Sequence, residues 1–151
     1  MLSTTAEYAL RALVALARQG PGKVVLGRDL ASSSGVPANY LSKILLDVKK
    51  VGLVQAVRGS GGGYRLSRPA PQIRLIEVVE PIDGARTRPG CLLSGGQVCS
   101  DVDPCSAHER WVVVRDAYVS FLEGTTLADL AEHHGHEITP ALAGHEGTPH
   151  E

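Results

Sequence analysis

An amphipathic segment at residues 38–50, followed at once by a glycine-rich tip, is the feature that most constrains the fold. One face of this segment is apolar, because side chains recur at the i, i+3, i+4 and i+7 spacing of a helix. These side chains are Leu41, Ile44, Leu45 and Val48. A shorter helix is predicted around Gly27–Ser33, Gly35 supplies a turn, and Pro37 stands where the longer helix should begin. Two helices joined by a glycine-containing turn predict a helix-turn-helix unit.

The opposite face of the longer helix is polar and positively charged. At 100° per residue, the polar residues on this face or at its edge are Asn39, Ser42, Lys43 and Lys50. Apolar Leu46 falls among them, on a face otherwise suited to hydrogen bonding. Many amphipathic helix pairs carry solvated lysines, but this arrangement is also that of a DNA-binding helix-turn-helix, in which the second helix enters the major groove.

A β-hairpin is predicted directly after this helix. Residues 53–57 and 64–67 are expected to be strands, and residues 58–63 form a tight glycine-rich tip between them. Arg58 stands at the tip, so the hairpin is interpreted as the wing of a winged helix. A glycine-rich loop can instead cradle a phosphate. However, this one lacks the Lys-Ser/Thr ending of a P-loop, and an extended segment follows it rather than a helix.

Helices are predicted on both sides of this unit. The first starts at Thr4, where Thr4–Glu7 fits a capping box, and it ends at Gly20–Gly22. Residues 73–83 predict the start of a strand and a short helix. A long helix is predicted from His108 to Glu123.

The long helix is apolar on several sides. Its main seam consists of Trp111, Val114, Tyr118 and Phe121. Such a helix is either buried at the end of one chain or packs against both its own core and a second subunit. We expect the second arrangement, and therefore a homodimer. The predicted fold class is mainly α with a small β-hairpin wing: a winged helix-turn-helix followed by a long C-terminal dimerisation helix.

Charge is divided unevenly along the 151 residues. Residues 1–80 carry 11 Lys and Arg against 5 Asp and Glu, a net +6, whereas residues 81–151 carry a net −7. A basic N-terminal half favours a polyanion such as DNA as partner, although a chance skew of surface charge is the alternative. No signal-peptide pattern opens the sequence, and its apolar run at residues 9–17 is too short to span a bilayer. We therefore expect a cytoplasmic protein with no membrane partner.

All three cysteines lie in the stretch CLLSGGQVCSDVDPCSAH, which places Cys91, Cys99 and Cys105 just before His108. Three thiols cannot all pair internally, and a reducing compartment disfavours disulfides. A metal site or a reactive thiol is therefore expected. Three cysteines and a histidine can form a structural zinc site, but such sites usually pair cysteines two to four residues apart, and no C-x2-C pair occurs here.

The sequence does not outline an enzyme. Ser60 in RGSGGGY does not fit the G-x-S-x-G nucleophile pattern, and no histidine lies in the N-terminal half. Cys105 and His108 could form a nucleophile–base pair, but nothing else in the sequence indicates a substrate pocket. We expect no catalytic residues.

Four pieces of the sequence together resemble the Rrf2 family of bacterial winged-helix repressors. They are EYALRAL, NYLSKIL, RGSGGGYRL and the three-cysteine loop. The resemblance covers about residues 1–132 and is to the iron–sulfur branch that contains IscR, NsrR and RirA. It implies a homodimer that binds a pseudo-palindromic site on double-stranded DNA.

The resemblance also implies which residues contact DNA. Asn39, Tyr40, Ser42 and Lys43 occupy positions of the reading helix that contact bases or phosphates in the family. Arg58 matches the wing arginine that enters the minor groove. The other residues expected at DNA are Lys50, Ser60, Tyr64 and Arg65. Ser42 and Lys43 replace a Glu-Gln pair of IscR, so its base preference does not transfer to this chain.

For the cysteine loop, the resemblance implies an iron–sulfur cluster held by Cys91, Cys99 and Cys105. Thiolates are the soft ligands that such clusters take. The expected fourth ligand is His108, with Glu7 of the partner subunit as the alternative. A 2Fe–2S cluster is slightly favoured over 4Fe–4S. Seven residues separate the first two cysteines, as in RirA-like members, where IscR and NsrR have five. Zinc and a metal-free thiol redox switch remain alternatives.

The sequence thus predicts four regions. Residues 1–84 are the winged helix-turn-helix DNA-binding domain, and residues 85–107 are the cluster-binding loop. Residues 108–132 form the dimerisation helix and the segment after it. Residues 133–151, rich in Pro, Gly, His and Glu, are expected to be disordered. The predicted function is a transcription regulator that senses iron, redox or nitric oxide status.

Overall fold

The computed structural model describes residues 2–87, 90–91 and 99–132. These residues form two strands and six α-helices. They are α1 (Thr4–Arg18), α2 (Gly27–Ser34), α3 (Ala38–Lys50), β1 (Val54–Val57), β2 (Gly63–Leu66), α4 (Leu75–Asp83), α5 (His108–Gly124) and α6 (Leu127–Ala131). A short 3₁₀ helix spans Ala70–Gln72. The expected tail at residues 133–151 lies outside the described residues. None of the helices within the described ranges is long and apolar enough to cross a membrane.

Helix α1 is the centre of the core, and α2, α3, α4 and α6 all pack against it. It begins at Thr4, as predicted, but the predicted capping box was wrong. The capping residue is Ser3, whose hydroxyl accepts a hydrogen bond of 3.1 Å from the amide of Ala6. Glu7 is therefore one residue too late for the box, and its carboxylate instead lies 3.5 Å from the guanidinium of Arg11. Both Ser3 and Thr4 can cap a helix, so sequence alone did not separate them.

The helix-turn-helix prediction is confirmed, and one arginine holds the turn. Gly35 ends α2 in the left-handed conformation, with φ of 63°. Arg11 of α1 donates from Nε to the carbonyl oxygen of Ser34 at 3.0 Å and from Nη2 to that of Gly35 at 3.1 Å. The predicted inward face of α3 is buried throughout, at Leu41, Ile44, Leu45 and Val48. These contacts fix α3 against the body of the domain.

The hairpin is confirmed with strand bounds shifted by one residue. β1 and β2 pair antiparallel, from Val54 opposite Leu66 to Val57 opposite Gly63. The tip end of β2 is attached to the loop before α2, because Val25 and Tyr64 exchange two backbone hydrogen bonds of 2.8 Å. The backbones approach so closely there that a Cβ built on Gly63 would overlap the carbonyl group of Val25.

The C-terminal helices join the same core. Leu122 of α5 is 1% exposed and Leu127 of α6 is 0% exposed, and both belong to the core cluster. Backbone hydrogen bonds from Leu75 to Thr125 and from Leu127 to Ile73, each 2.9 Å, hold the α5–α6 turn against the start of α4. Leu122 is the one fully buried residue of α5. Most of this long helix therefore lies at the surface of a single described chain.

Candidate nucleic-acid interface and thiol centre

The outer face of α3 is formed by Asn39, Ser42, Lys43, Leu46 and Lys50, and all of these side chains are exposed. Leu46 is 52% exposed. The hydroxyl of Ser42 donates to the carbonyl oxygen of Ala38 at 3.2 Å, and Lys50 lies 3.3 Å from Asp47. These local contacts leave hydrogen-bonding groups and positive charge on a face directed away from the core.

Tyr40 lies in the first turn of α3 and packs against Tyr8 of α1. Its side chain is 55% exposed, and its ring meets that of Tyr8 edge to face with centroids 6.0 Å apart. The guanidinium of Arg11 lies 5.6 Å from the Tyr8 ring centroid. The arginine that holds the turn therefore also holds the tyrosine behind Tyr40.

The hairpin tip presents exposed polar side chains. Arg58 and Ser60 are both exposed, and Arg65 is exposed beside Gln55, to whose side-chain oxygen it donates at 3.0 Å. Tyr64, expected at DNA, lies half-buried and packs against the core. Tyr64 therefore supports the hairpin while the other three residues remain accessible.

The thiol centre, defined as Cys91, Cys99, Cys105 and His108, lies where the loop joins the start of α5. All three cysteines are half-buried, and no disulfide joins any two of them. The sulfur of Cys99 lies 3.2 Å from Nδ1 of His108. The imidazole side chain is only 12% exposed, and its Nε2 lies 2.9 Å from a carboxylate oxygen of Asp101. Two of the four predicted donors are thus in direct contact.

The electrostatics of Cys99 indicate that the other two thiols are close to it. Burial raises the pKa of the Cys99 thiol, and nearby Cys91 and Cys105 raise it further through their charge. A side-chain hydrogen bond with Cys91 acts in the same direction, while Arg115 opposes these effects. Because the thiolates repel one another, a soft metal cation would favour their deprotonation.

The three thiols and the imidazole of the thiol centre are donor types that suit an iron–sulfur cluster. Their arrangement also separates a cluster from a single bound ion. Among the described residues, no three His, Cys, Asp or Glu side chains are grouped around one point as ligands of a single ion. A structural zinc site requires four donors around one ion. A cluster distributes its protein ligands over several iron atoms and does not require that convergence. Glu7, the alternative ligand, lies on α1 and pairs with Arg11 in this chain.

Several residues that position the thiol centre were not predicted from sequence. The indole N–H of Trp111 donates to the carbonyl oxygen of Gly90 at 2.7 Å, one residue before Cys91. The carboxylate of Glu80 accepts from the amide of Arg86 at 2.6 Å and the hydroxyl of Thr87 at 2.7 Å. No motif marks these contacts, since each joins positions that local periodicity does not relate.

A second ionic contact joins the loop to α5. The guanidinium of Arg86 pairs with the carboxylate of Glu123, with a hydrogen bond of 2.7 Å from Nε. Burial by itself would raise the pKa of Glu80, but hydrogen bonds from Arg86 and Thr87 outweigh it and lower that pKa. Arg86 and Thr87, just after α4, are therefore held by polar contacts to both α4 and α5.

Comparison with known proteins places this geometry in a family. The model of the Rrf2 family, described as an iron-dependent transcriptional regulator, matches residues 2–133. The chain belongs to the Rrf2 family. The predicted family and the predicted winged-helix fold are both confirmed, and this Rrf2 protein is a transcriptional regulator.

Individual relatives agree with the family assignment. An HTH-type transcriptional regulator of Mycobacterium tuberculosis is 38% identical over 132 residues, which are 86% of this chain and 80% of that protein. The HTH-type transcriptional regulator IscR of Cronobacter sakazakii is 33% identical over 129 residues, covering 85% of this chain and 78% of IscR. These relatives are transcriptional regulators and not enzymes, and they imply that this Rrf2 protein binds DNA.

Solved structures with the same fold include two kinds of regulator. CymR, the global cysteine regulator of B. subtilis, matches with a TM-score of 0.70 and 27% identity, covering 87% of this chain and 95% of CymR. IscR of T. potens matches with a TM-score of 0.66 and 26% identity, covering 86% of this chain and 85% of IscR.

Proposed function

We propose that this Rrf2 regulator is a homodimer that binds a pseudo-palindromic DNA site and senses iron, redox or nitric oxide status through an iron–sulfur cluster. The proposed ligands are Cys91, Cys99, Cys105 and His108. The observation that carries the proposal is the 3.2 Å contact between Cys99 and Nδ1 of His108, made where the loop meets α5. It brings together soft thiol and imidazole donors beside two further thiols.

The DNA-binding part of the proposal rests on the outer face of α3 and on the wing. Asparagine can read adenine through paired hydrogen bonds in the major groove, which suits exposed Asn39. Arginine is drawn to the negative potential of a narrow minor groove, which suits Arg58 at the exposed tip. The side chains proposed to contact phosphates are Lys43, Lys49, Lys50 and Arg65. Binding should therefore weaken steeply as salt increases.

Dimerisation is proposed through α5. Large apolar side chains on this helix face solvent in the single chain: Val113 is 68% exposed, Val114 is 47% exposed and Phe121 is 53% exposed. A row of exposed apolar residues on a long helix favours a protein partner. A second copy suits it, because a two-fold dimer places two α3 helices on the two halves of a palindromic site.

The sensing part depends on how the chain connects the thiol centre to the DNA-binding elements. His108 is the first residue of α5, and the far end of that helix carries buried Leu122 in the shared core. Trp111 and Glu123 of the same helix hold Gly90 and Arg86, which lie on the chain between α4 and the thiol centre. When bound, the cluster would supply iron that reacts with oxidants or nitric oxide. Through these contacts, loss of the cluster can shift α5 and thereby change its packing against the core that carries the DNA-binding elements.

A metal-free thiol switch is the second candidate function. The hydrogen bond between Cys91 and Cys99 supports it, because two adjacent thiols can form a disulfide. In that step each thiol loses a proton, and the two sulfurs together give two electrons to a peroxide or disulfide oxidant. An oxidised form of Staphylococcus aureus CymR, a structural neighbour with a TM-score of 0.69 and 26% identity, has been solved.

Anaerobic purification, followed by an absorbance spectrum and by iron, sulfide and zinc analysis of the same sample, tests the proposal. Two irons and two sulfides per chain would indicate 2Fe–2S, and four of each would indicate 4Fe–4S. Zinc without sulfide would indicate that the thiol centre is a structural zinc site, and this result would overturn the sensing proposal. A metal-free protein whose DNA affinity changes on reversible oxidation would favour the thiol switch.

DNA binding is the second half of that test. Holo and apo protein should differ in affinity for one operator at matched salt. The Cys105→Ser variant should abolish the difference, because it removes one thiolate ligand. Equal affinity of holo and apo protein would contradict a sensing role even if a cluster is present.

A further inference from the structure

One imidazole in the thiol centre has both ring nitrogens engaged. Nε2 of His108 lies 2.9 Å from a carboxylate oxygen of Asp101, and Nδ1 lies 3.2 Å from the sulfur of Cys99. A neutral imidazole carries one proton, and a carboxylate can only accept a hydrogen bond. The proton therefore belongs on Nε2, facing Asp101. This arrangement directs the lone pair of Nδ1 at the thiols.

We infer that Asp101 is a positioning residue that keeps the proton of His108 on Nε2 and holds Nδ1 ready to bind iron. The inference rests on the proposed cluster function and adds a residue to it. Histidine ligands usually donate their other ring N–H to a carboxylate or carbonyl, which fixes the tautomer and makes the ligand more basic. Asp101 stands in that relation to His108.

The exposure of Asp101 and His108 indicates that Asp101 orients the ring of His108 and adds little to the stability of the fold. The side chain of Asp101 is 88% exposed, whereas that of His108 is 12% exposed. An ion pair with one partner so exposed contributes little to folding. Loss of the Asp101 carboxylate should therefore leave the fold intact while releasing the orientation of the ring.

Other groups near His108 do not provide the same function. The amide of His108 donates to the carbonyl oxygen of Cys105 at 3.0 Å, which fixes the main chain but not the ring. Asp103 is an exposed carboxylate two residues beyond Asp101 in the same loop. It therefore offers a matched control with the same charge and a similar position.

The first test uses the apo protein and needs no cluster. Nitrogen-15 NMR of the imidazoles, at a pH where they are neutral, reports which ring nitrogen carries the proton. Wild-type protein and Asp103→Ala should show His108 protonated on Nε2. Asp101→Ala should shift population towards protonation on Nδ1, and Asp101→Glu should restore the wild-type tautomer at least in part. An unchanged tautomer in Asp101→Ala would overturn the inference.

The second test measures anaerobic loss of iron from the holo protein to a chelator. Loss of a residue that orients a metal ligand typically weakens metal binding about 10- to 100-fold. Asp101→Ala should therefore release iron about 10- to 100-fold faster than wild type, with Asp103→Ala unchanged and circular dichroism the same for all variants. His108→Ala should release iron at least as fast as Asp101→Ala.

The outcomes distinguish the inference from the proposed function. If His108→Ala loses iron quickly and Asp101→Ala does not, the cluster proposal stands and the role of Asp101 is wrong. If neither variant differs from wild type, His108 is not a ligand and the inference falls with it. If wild-type protein carries no iron or sulfide, both the proposed function and the inference are overturned.

Discussion

The indole N–H of Trp111 donates a hydrogen bond of 2.7 Å to the carbonyl oxygen of Gly90. Trp111 lies one turn into α5, whose first residue is His108, and Gly90 directly precedes Cys91. This single contact therefore relates the position of one proposed ligand to the helix that carries another.

Trp111→Phe should loosen that relation without removing the aromatic ring. The lost hydrogen bond should cost about 1 kcal/mol of stability. We expect a larger effect on the thiol centre, seen as reduced iron and sulfide per chain after anaerobic purification. Iron content equal to wild type would show that the Gly90 contact does not position Cys91.

Tyr118→Phe, on the same helix, should have the opposite effect on stability. The hydroxyl of Tyr118 is buried and has no hydrogen-bond partner among the described residues. Burial raises the pKa of Tyr118, and the charge of Asp83 adds to this. A buried polar group without a partner costs about 1–3 kcal/mol, so its removal should be neutral or stabilising. A clear fall in the urea midpoint of unfolding would reveal a partner for this hydroxyl, such as a group on a second subunit.

Arg58→Ala should reduce DNA binding and leave folding unchanged. The side chain is exposed at the hairpin tip, and loss of a groove-reading arginine typically costs about 1–3 kcal/mol of binding free energy. Titration of a labelled operator at fixed salt measures this loss. Arg110→Ala is the control, because it removes the same charge from α5 and should have a much smaller effect. Comparable losses in both variants would point to general electrostatic attraction.

Arg11→Met should destabilise the helix-turn-helix directly. The substitution removes two hydrogen bonds to the carbonyl oxygens of Ser34 and Gly35 while keeping an apolar side chain of similar length. Hydrogen bonds from charged groups contribute about 1.5–3 kcal/mol, and we expect a loss of about 2 kcal/mol in urea unfolding. Lysine can restore only part of this hydrogen-bond geometry, so the unfolding free energy of Arg11→Lys should lie between those of wild type and Arg11→Met.

Acid should weaken the link between α4 and the cysteine loop. The folded-state pKa of Glu80 is lowered, so its contribution to stability is present above the ordinary glutamate pKa of 4.5 and is lost as pH falls through the folded value. Glu80→Gln should therefore lower stability at neutral pH and make it less sensitive to acid. Free energies of unfolding measured from neutral to acidic pH test this. Parallel curves for the two proteins would contradict it.

Local patterns predicted the winged helix-turn-helix well. The buried face of α3 follows from the spacing of Leu41, Ile44, Leu45 and Val48, and the hairpin follows from the glycine cluster between two short strands. The wrong capping residue of α1 shows the limit of this reasoning. Adjacent Ser3 and Thr4 have similar capping ability. The amide of Ser3 donates a hydrogen bond of 2.9 Å to Asp83 of α4, a contact that local sequence patterns do not reveal.

The thiol centre was predictable as a set of residues but not as an arrangement. Clustering of Cys91, Cys99, Cys105 and His108 in one stretch predicted the set of proposed donors. Asp101 and Trp111 gave no comparable signal, because a carboxylate in a loop and a tryptophan in a helix have many ordinary roles. Their contacts arise from the path of the chain in space, which residue spacing does not encode.

The contact between Gly63 and Val25 separates what the wing carries from where it points. Arg58 supplies the charge at the tip, but the direction of the hairpin depends on two main chains that meet with no side chain between them. A single methyl group at position 63 should therefore change the direction of the hairpin and move Arg58 away from its proposed place in the minor groove, while every polar group of the wing stays chemically unchanged. The direction of the wing and its chemistry depend on different residues, so a variant at position 63 can lose the proposed DNA recognition and still keep every group proposed to contact DNA.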